Sequence, residues 1–373
     1  MQHDKPDDGN ATVVLQWIGD ISLNGLYCDP RCHPDLSSNM AMVAAELGPC
    51  DLRIANWESP LWGGQGLNTF KTSPLTCTTE DASECLRPLG LNVGLLANNH
   101  IYDCLEKGVE RTIRHLEQNQ VHWLGVGRSR EQAAEPLALT CRGLSLRFLN
   151  YVGSETNPRL PTGARVFINT LDVERMLADV ESLSKQADAV FVALHWGEVE
   201  LISFPTVEQR MIARQAIEAG ARVVACHHAH CLQGHEQWGK GHIFYGLGNF
   251  LFDGCFCAKP GRFWPRISRR VGVATTAVSR DGVVWADMHH FSQEGLLLRP
   301  DASDSRRQRQ ARLDRSVQLS DRRLRRRFAW AFRVQMLIVA PWRFIWKSGG
   351  PIRAVRLLRW EHVTRFLWAI RGR

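Results

Sequence analysis

The sequence predicts a layered α/β sandwich with mixed sheets, on three observations. Apolar runs of strand length recur along the chain, and each ends on a short polar cluster. Between them lie stretches with apolar residues at three- and four-residue spacing, the period of a helix with one buried face. After Gly241 the pattern turns to short strands separated by Gly and Asp-Gly turn signals, which adds antiparallel pairs to a sheet built by strand-helix-strand repeats.

The elements follow in order. Residues 12–18 form the first strand, ending at Gly19-Asp20, and residues 39–47 the first helix. Strand 51–55 leads into Asn56-Trp57-Glu58, strand 91–97 into Asn98-Asn99-His100, and helix 105–118 follows. Helix 171–185 precedes strand 189–194, which ends at His195-Trp196-Gly197. Helix 207–219 stops at Gly220, a residue suited to the left-handed turn that closes helices. Strand 221–225 ends at Cys226-His227-His228-Ala229-His230 and strand 243–247 at Gly248-Asn249-Phe250, before strands 271–278 and 283–289. In an open α/β sheet the carboxyl ends of parallel strands face one crevice, so these six clusters are expected to converge in space.

Charge divides the chain. Its 373 residues, 44% apolar and 23% charged, suit a globular protein with a sizeable core. The net charge of +8 conceals a change of sign: residues 305–373 hold 19 Lys or Arg against Asp314, Asp321 and Glu361, a net +16, and residues 1–304 carry −8. Two parts are therefore expected, a main domain over 1–300 and a basic, Trp-rich helical tail over 301–373. The polar, acidic start lacks the basic stretch and apolar core of an export signal. With that start, the odd count of 11 cysteines reads as mostly reduced thiols in a cytoplasmic protein. Cys28, Cys32 and His33, or Cys255 and Cys257, lack the spacing of common zinc modules, and buried inert thiols are the expectation.

The clusters carry the chemistry. A divalent metal pair needs carboxylates, neutral imidazoles and carbonyl oxygens, commonly with a bridging carboxylate. Asp20, Glu58, Asn99, His195, His228 and His230 supply that set, while His100, beside Asn99, can turn toward a leaving group as a general acid. Gly-Asp after a strand is commonly a turn, and Glu58 can equally cap the next segment. Three histidines within four residues at a strand end are harder to explain by packing, and they weigh the reading toward metal. His115, His122 and His289-His290 have no matching carboxylates and read as surface or core residues.

The stretches Asp51-Leu-Arg-Ile-Ala-Asn-Trp-Glu-Ser-Pro-Leu, Ala97-Asn-Asn-His100, His195-Trp-Gly, His227-His-Ala-His230 and Tyr245-Gly-Leu-Gly-Asn-Phe250 resemble the motif series of the bacterial capsule synthesis (CapA, poly-γ-glutamate biosynthesis) proteins, a branch of the calcineurin-like metallophosphoesterases. The match in order and spacing runs from Val13 to about Asp253. It implies a four-layer α/β fold and two divalent ions, Mn, Fe or Zn. Carried over by motif, Asp20 and His230 would bind the first ion, Asn99, His195 and His228 the second, and Glu58 would bridge. His100 would be the catalytic acid, with Asn56, His227 and Asn249 beside the ligands. Two departures stand out: the family's Gly-His-His-Pro-His reads Cys226-His-His-Ala229-His230, which sets a cysteine beside the metals and loosens the loop, and the glycine usual five residues after the Asn-Asn-His histidine is Leu105.

The resemblance implies hydrolysis by metal-activated hydroxide, of a phosphate ester or a γ-glutamyl substrate, in capsule or poly-γ-glutamate biosynthesis. The alternative is a non-catalytic factor that holds an anionic polymer at the membrane among other biosynthesis proteins. Arg53, Lys71 and Arg165 are candidates to neutralise an acidic substrate. In the tail, Arg322–Arg327 precedes an aromatic, aliphatic stretch broken by Arg333, Gln335, Pro341 and Arg343, too interrupted for a span of about 20 apolar residues. Trp330, Trp342, Trp346, Trp360 and Trp368 punctuate it, and Val363, Phe366, Leu367 and Ile370 recur at helical spacing beside Arg365, Arg371 and Arg373. This composition suits peripheral attachment to an anionic membrane face, ahead of a partner protein, with nucleic acid weakest because phosphate binding needs less apolar surface.

Overall fold

The computed structural model describes residues 11–71, 77–253 and 267–339. Two sheets pack face to face with helices on both outer sides, which gives the four layers. The eight-stranded sheet runs Leu297–Pro300, Gly282–Glu294, Arg270–Ser279, Val13–Ser22, Leu52–Trp57, Val93–Leu95, His122–Leu124, and Asn249–Phe252 also pairs with Val13–Ser22. The six-stranded sheet runs His235–Trp238, Gly241–Phe244, Ala221–His227, Ala189–His195, Leu144–Val152, Leu137–Cys141. Two short strands, Val126–Gly127 and Phe167–Ile168, pair separately.

Strand alternation builds the layers. In Ala189–His195 the side chains of Phe191 and Ala193 face the other sheet, where Phe191 meets Trp17, and they pack beside Phe148 and Phe244 of their own sheet. Val190, Val192 and Leu194 face outward onto Met176 and Val180 of helix Val173–Ser184 and Ala213 and Ile217 of helix Val207–Glu218. The eight-stranded sheet does the same with Ile18, Ile21 and Trp57 against Met40 and Val43 of helix Leu36–Leu47 and Val109 and Leu116 of helix Leu105–Gln118. Because Val13–Ser22, Leu52–Trp57, Ala189–His195 and Ala221–His227 are mutually parallel within their sheets, their carboxyl ends open on one edge of the sandwich.

Four features differ from the sequence reading. The hairpin Leu137–Cys141 to Leu144–Val152 has no counterpart in it: the turn is Arg142-Gly143, with φ of 48° and 75°, and lacks the Asn-Gly or Asp-Gly signature. Asn249 begins a strand and does not follow one, because the chain leaves Gly241–Phe244, crosses between sheets and turns at Gly248 (φ 69°). Cys77 and Cys104 form a disulfide, an exception among thiols expected to be mostly reduced, while the seven other cysteines among the described residues are free. The change of charge sign does not coincide with a break in packing: in helix Asp304–Val317, Arg306 is buried and donates to the Phe291 carbonyl, and Gln310 Nε2 donates to the Gln233 carbonyl at 3.2 Å. A second tail helix, Asp321–Val334, follows. No helix among the described residues is long and apolar enough to cross a membrane. Cys255, Cys257, Trp342, Trp346, Trp360, Trp368 and the 363–370 periodicity lie outside the described residues.

Candidate metal centre

Asp20 lies inside strand Val13–Ser22, at a register shift, and its N–H donates to the Gly248 carbonyl at 2.9 Å. Gly19 makes that approach possible, since a Cβ there would sit 2.0 Å from the same carbonyl oxygen. Asn56 follows Ile54 on the inter-sheet face of Leu52–Trp57, so its amide points at the same edge. From the opposing sheet, His195 and His227 are direct register partners, on the parity of the inter-sheet residues Ala193 and Ala225. Both rings therefore aim at Asp20.

The side chains close into one buried cluster. Asn56 Nδ2 donates to Asp20 Oδ1 at 2.8 Å and lies 3.1 Å from His195 Nδ1. His195 Nε2 is 3.0 Å from Asn99 Oδ1 and 3.2 Å from His228 Nδ1. His230 Nδ1 is 2.8 Å from Asn249 Oδ1 and 3.3 Å from Asp20 Oδ2, which leaves Nε2 facing Glu58 Oε1 at 3.8 Å. His227 Nδ1 stands 3.3 Å from Asp20 Oδ1. Donor atoms of Asp20, Glu58 and His195 all lie within 4.8 Å of one another. His228 and His230 hold φ of 83° and 50°, a left-handed geometry costly for residues with a Cβ and concentrated at functional sites. The Ala229 carbonyl between them accepts from Leu201 N at 2.8 Å, so the loop is tied although proline is absent.

His100 forms a second grouping at the mouth. Its Nδ1 is 2.5 Å from Asp103 Oδ2, and its Nε2 faces Glu58 Oε1 at 3.9 Å. Lys71 Nζ donates to Asp103 Oδ1 at 3.1 Å and to the Asn99 carbonyl at 2.5 Å. Lys71 is thus a buried partner in this grouping, more than a surface charge, and Asp103 is a member that the sequence reading misses. The i,i+3 spacing of His100 and Asp103 is the signal that could have found it. Arg53 sits at the far end of its strand on Gln16 and the Gly48 carbonyl, and Arg165 is exposed, so neither faces the centre.

Burial and charge set the protonation. Burial would raise the Asp20 carboxyl, but His227 and His230 hold it well below the usual range. Burial, and then the charge of Asp20, push Glu58 well above it. Burial brings His228 down to about 4, and burial with the neighbouring His228 lowers His195 well below its ordinary value. Burial opposes the charge on His230, yet Glu58 and Asp20 hold it at about 10. Burial lowers His100, with Asp103 pulling the other way. The donors, two carboxylates, an amide oxygen and imidazoles, are the types that divalent transition ions take, and the His230 proton facing Asp20 Oδ2 at 3.3 Å is one that a cation there would displace. Cys226 takes no part: strand parity turns it outward into the helix-facing core with Val224 and Ile243, where burial pushes its thiol up.

Residues 14–254 match the family described as bacterial capsule synthesis protein PGA_cap. The chain belongs to this family. Every residue of the cluster falls within the matched stretch. Among relatives, the chain is 28% identical over 47% of its length to 43% of the capsule biosynthesis protein CapA of Bacillus anthracis. It is also 28% identical over 65% of its length to 63% of the PGA biosynthesis protein CapA of Bacillus subtilis (strain 168). It therefore spans less than two thirds of either relative. Among solved structures, a hypothetical protein from Thermus thermophilus aligns over 75% of the chain and 100% of its own, with 16% identity and a TM-score of 0.47. A 5'-nucleotidase precursor from the same organism aligns over 77% of the chain and 55% of its own, with 14% identity and a TM-score of 0.44.

The family's usual glycine, replaced by Leu105, finds its explanation in the backbone. Leu105 has φ of 61°, the conformation glycine adopts without cost, and its N–H bonds the Tyr102 carbonyl at 3.0 Å in the turn that carries His100 and Asp103.

Proposed function

We propose that this PGA_cap family chain is a metal-dependent hydrolase that cleaves a phosphate-ester or γ-glutamyl bond in the making of a capsule polymer. The observation that carries this reading is the pairing of a buried donor cluster, Asp20, Glu58 and His195 within 4.8 Å, with an anchored imidazole at its mouth, His100. Asp20 and His230 would hold one ion and Asn99, His195 and His228 the other, with Glu58 as a further carboxylate donor of the cluster. Two such ions would polarise the scissile group and make water acidic enough to attack at neutral pH. Asn56, His227 and Asn249 position the ligands: Asn249 takes up His230 Nδ1, so Nε2 is the nitrogen directed at the cluster. His100, its Nδ1 held by Asp103, presents Nε2 for proton transfer to a leaving group. A module that only holds a polymer has no use for that arrangement. The role in capsule or polyglutamate synthesis follows the family description and the names of the Bacillus relatives.

The test is metal analysis of the purified chain, followed by a screen of phosphomonoesters, phosphodiesters and γ-glutamyl peptides with Mn, Fe and Zn added back. Stoichiometric metal and turnover of one class support the reading. Metal without turnover of any class assigns a polymer-holding role, and no stoichiometric binding removes the metal centre.

A further inference from the structure

We infer that the tail helix Asp321–Val334 is a docking face for an anionic bilayer surface, held at the edge of the molecule that carries the candidate metal centre. The first half of the helix is fixed to the body. Leu324 is fully buried, Asp321 accepts from Arg210, and Arg325 lies 3.5 Å from Glu208. The Arg327 guanidinium stands 4.4 Å from the Phe204 ring centre. Phe204, Glu208 and Arg210 all belong to the segment that leaves His195 and enters helix Val207–Glu218. The helix is thus placed by the chain that runs out of the centre.

The opposite face is built differently. At 3.6 residues per turn, Arg322, Arg323, Arg326, Trp330 and Arg333 share an arc of about 100°, away from Leu324. All five are exposed, and Trp330 is 68% exposed, an unusual position for the largest apolar side chain on a body with ample core. Beyond Arg327 no described residue of the helix is buried, although Phe328, Ala329, Trp330, Ala331, Phe332 and Val334 are apolar. A row of guanidinium groups with an indole beside it matches the headgroup region of an anionic membrane, where arginines meet phosphates and the indole sits at the polar boundary. The sequence beyond continues in kind, with Trp342, Trp346, Trp360 and Trp368 among further arginines. Nucleic acid would use the arginines and leave the exposed indole and aromatic run without a purpose.

The experiment is vesicle co-sedimentation of the full chain with phosphatidylcholine alone or enriched in phosphatidylglycerol, at low and high salt, beside a short DNA duplex. The variants are the triple Arg322→Glu, Arg323→Glu, Arg326→Glu and the single Trp330→Ala. These side chains are exposed, and an unchanged thermal midpoint confirms that each variant folds. The expected result is binding to phosphatidylglycerol vesicles that salt weakens, about a hundredfold loss in the triple variant, and a smaller loss for Trp330→Ala. Failure of the intact chain to bind these vesicles at low salt, or equal binding by the triple variant, overturns the proposal. Binding to the duplex in preference to vesicles would make the face a nucleic-acid arm and overturn it as well. Metal content and turnover are separate readouts, so this result is independent of the hydrolase reading.

Discussion

Asp103 Oδ2 lies 2.5 Å from His100 Nδ1, while Lys71 Nζ holds the other Asp103 oxygen at 3.1 Å. The Asp103 and Lys71 side chains are almost fully buried, so the imidazole is oriented by a charged pair with little water to compete.

From this relationship, His100→Ala should keep its metal and lose turnover by about 10²- to 10⁴-fold. Asp103→Asn should also keep metal and lose less, about tenfold or more, because the imidazole stays in place without its anion. Lys71→Met removes one member of a buried ion pair and should cost about 3 kcal/mol in urea unfolding. Loss of metal in His100→Ala, or undiminished turnover in both His100→Ala and Asp103→Asn, would take this grouping out of the chemistry.

Metal uptake should release protons. With His230 at about 10, that imidazole holds a proton at neutral pH in the metal-free protein, and Glu58, raised well above the carboxylate range, keeps its proton to higher pH than an ordinary carboxyl. A divalent cation needs those positions deprotonated, so it must displace the protons, and affinity should rise as pH increases through neutrality toward the His230 value. Calorimetry in buffers of different ionisation enthalpy reads the count directly. A buffer-independent heat and flat affinity from about pH 6 to 9 would contradict this protonation pattern. His228→Ala and His230→Ala should each abolish stoichiometric binding with modest change in fold.

Much of this centre is legible in the sequence because parallel strands end together. Asp20, Asn56, His195 and His227 reach one point since the strands that carry them share a direction, and strand length and motif order signal that. Contacts between side chains distant in sequence leave no such trace. Lys71 is a lone lysine after an aromatic residue, and only the fold brings it onto Asp103. The outward turn of Cys226 is decidable by counting: if His227 faces Asp20, its neighbour on an extended strand faces the opposite way. Arg306 reads as a solvated charge among tail arginines, yet it is buried under a backbone carbonyl. Composition describes a helix's average face and not the one arginine turned inward.

Acid should weaken the fold from a place remote from the centre. His242 Nε2 is 2.9 Å from His235 Nδ1, and burial, then the charge of His235, bring His242 down to about 3. The unfolded chain protonates this ring below about 6.5, whereas the folded one resists until about 3. Stability from this group is complete above the unfolded value and is lost as pH falls through that window, by roughly 2–4 kcal/mol. His242→Gln should therefore lose less stability than wild type between about pH 7 and 4.5 in urea titrations. An equal loss in both proteins would place the acid sensitivity elsewhere.

The last prediction concerns the crossing that seats Asp20. A Cβ on Gly19 would lie 2.0 Å from the Gly248 oxygen and 3.0 Å from its carbonyl carbon, and neither backbone atom can rotate aside as a side chain would. The same Gly248 oxygen accepts the Asp20 N–H at 2.9 Å, so relieving the clash separates the two strands at the residue proposed to bind metal. Gly19→Ala should cost about 3 kcal/mol or more, and the folded fraction should bind metal weakly. Gly248→Ala places a side chain at φ of 69° with its nearest contacts at 3.1 Å, a smaller offence costing about 1 kcal/mol. The ordering of the two variants in urea unfolding is the decisive measurement: if Gly19→Ala is as stable as wild type and binds metal normally, the strands do not approach as closely as this geometry requires.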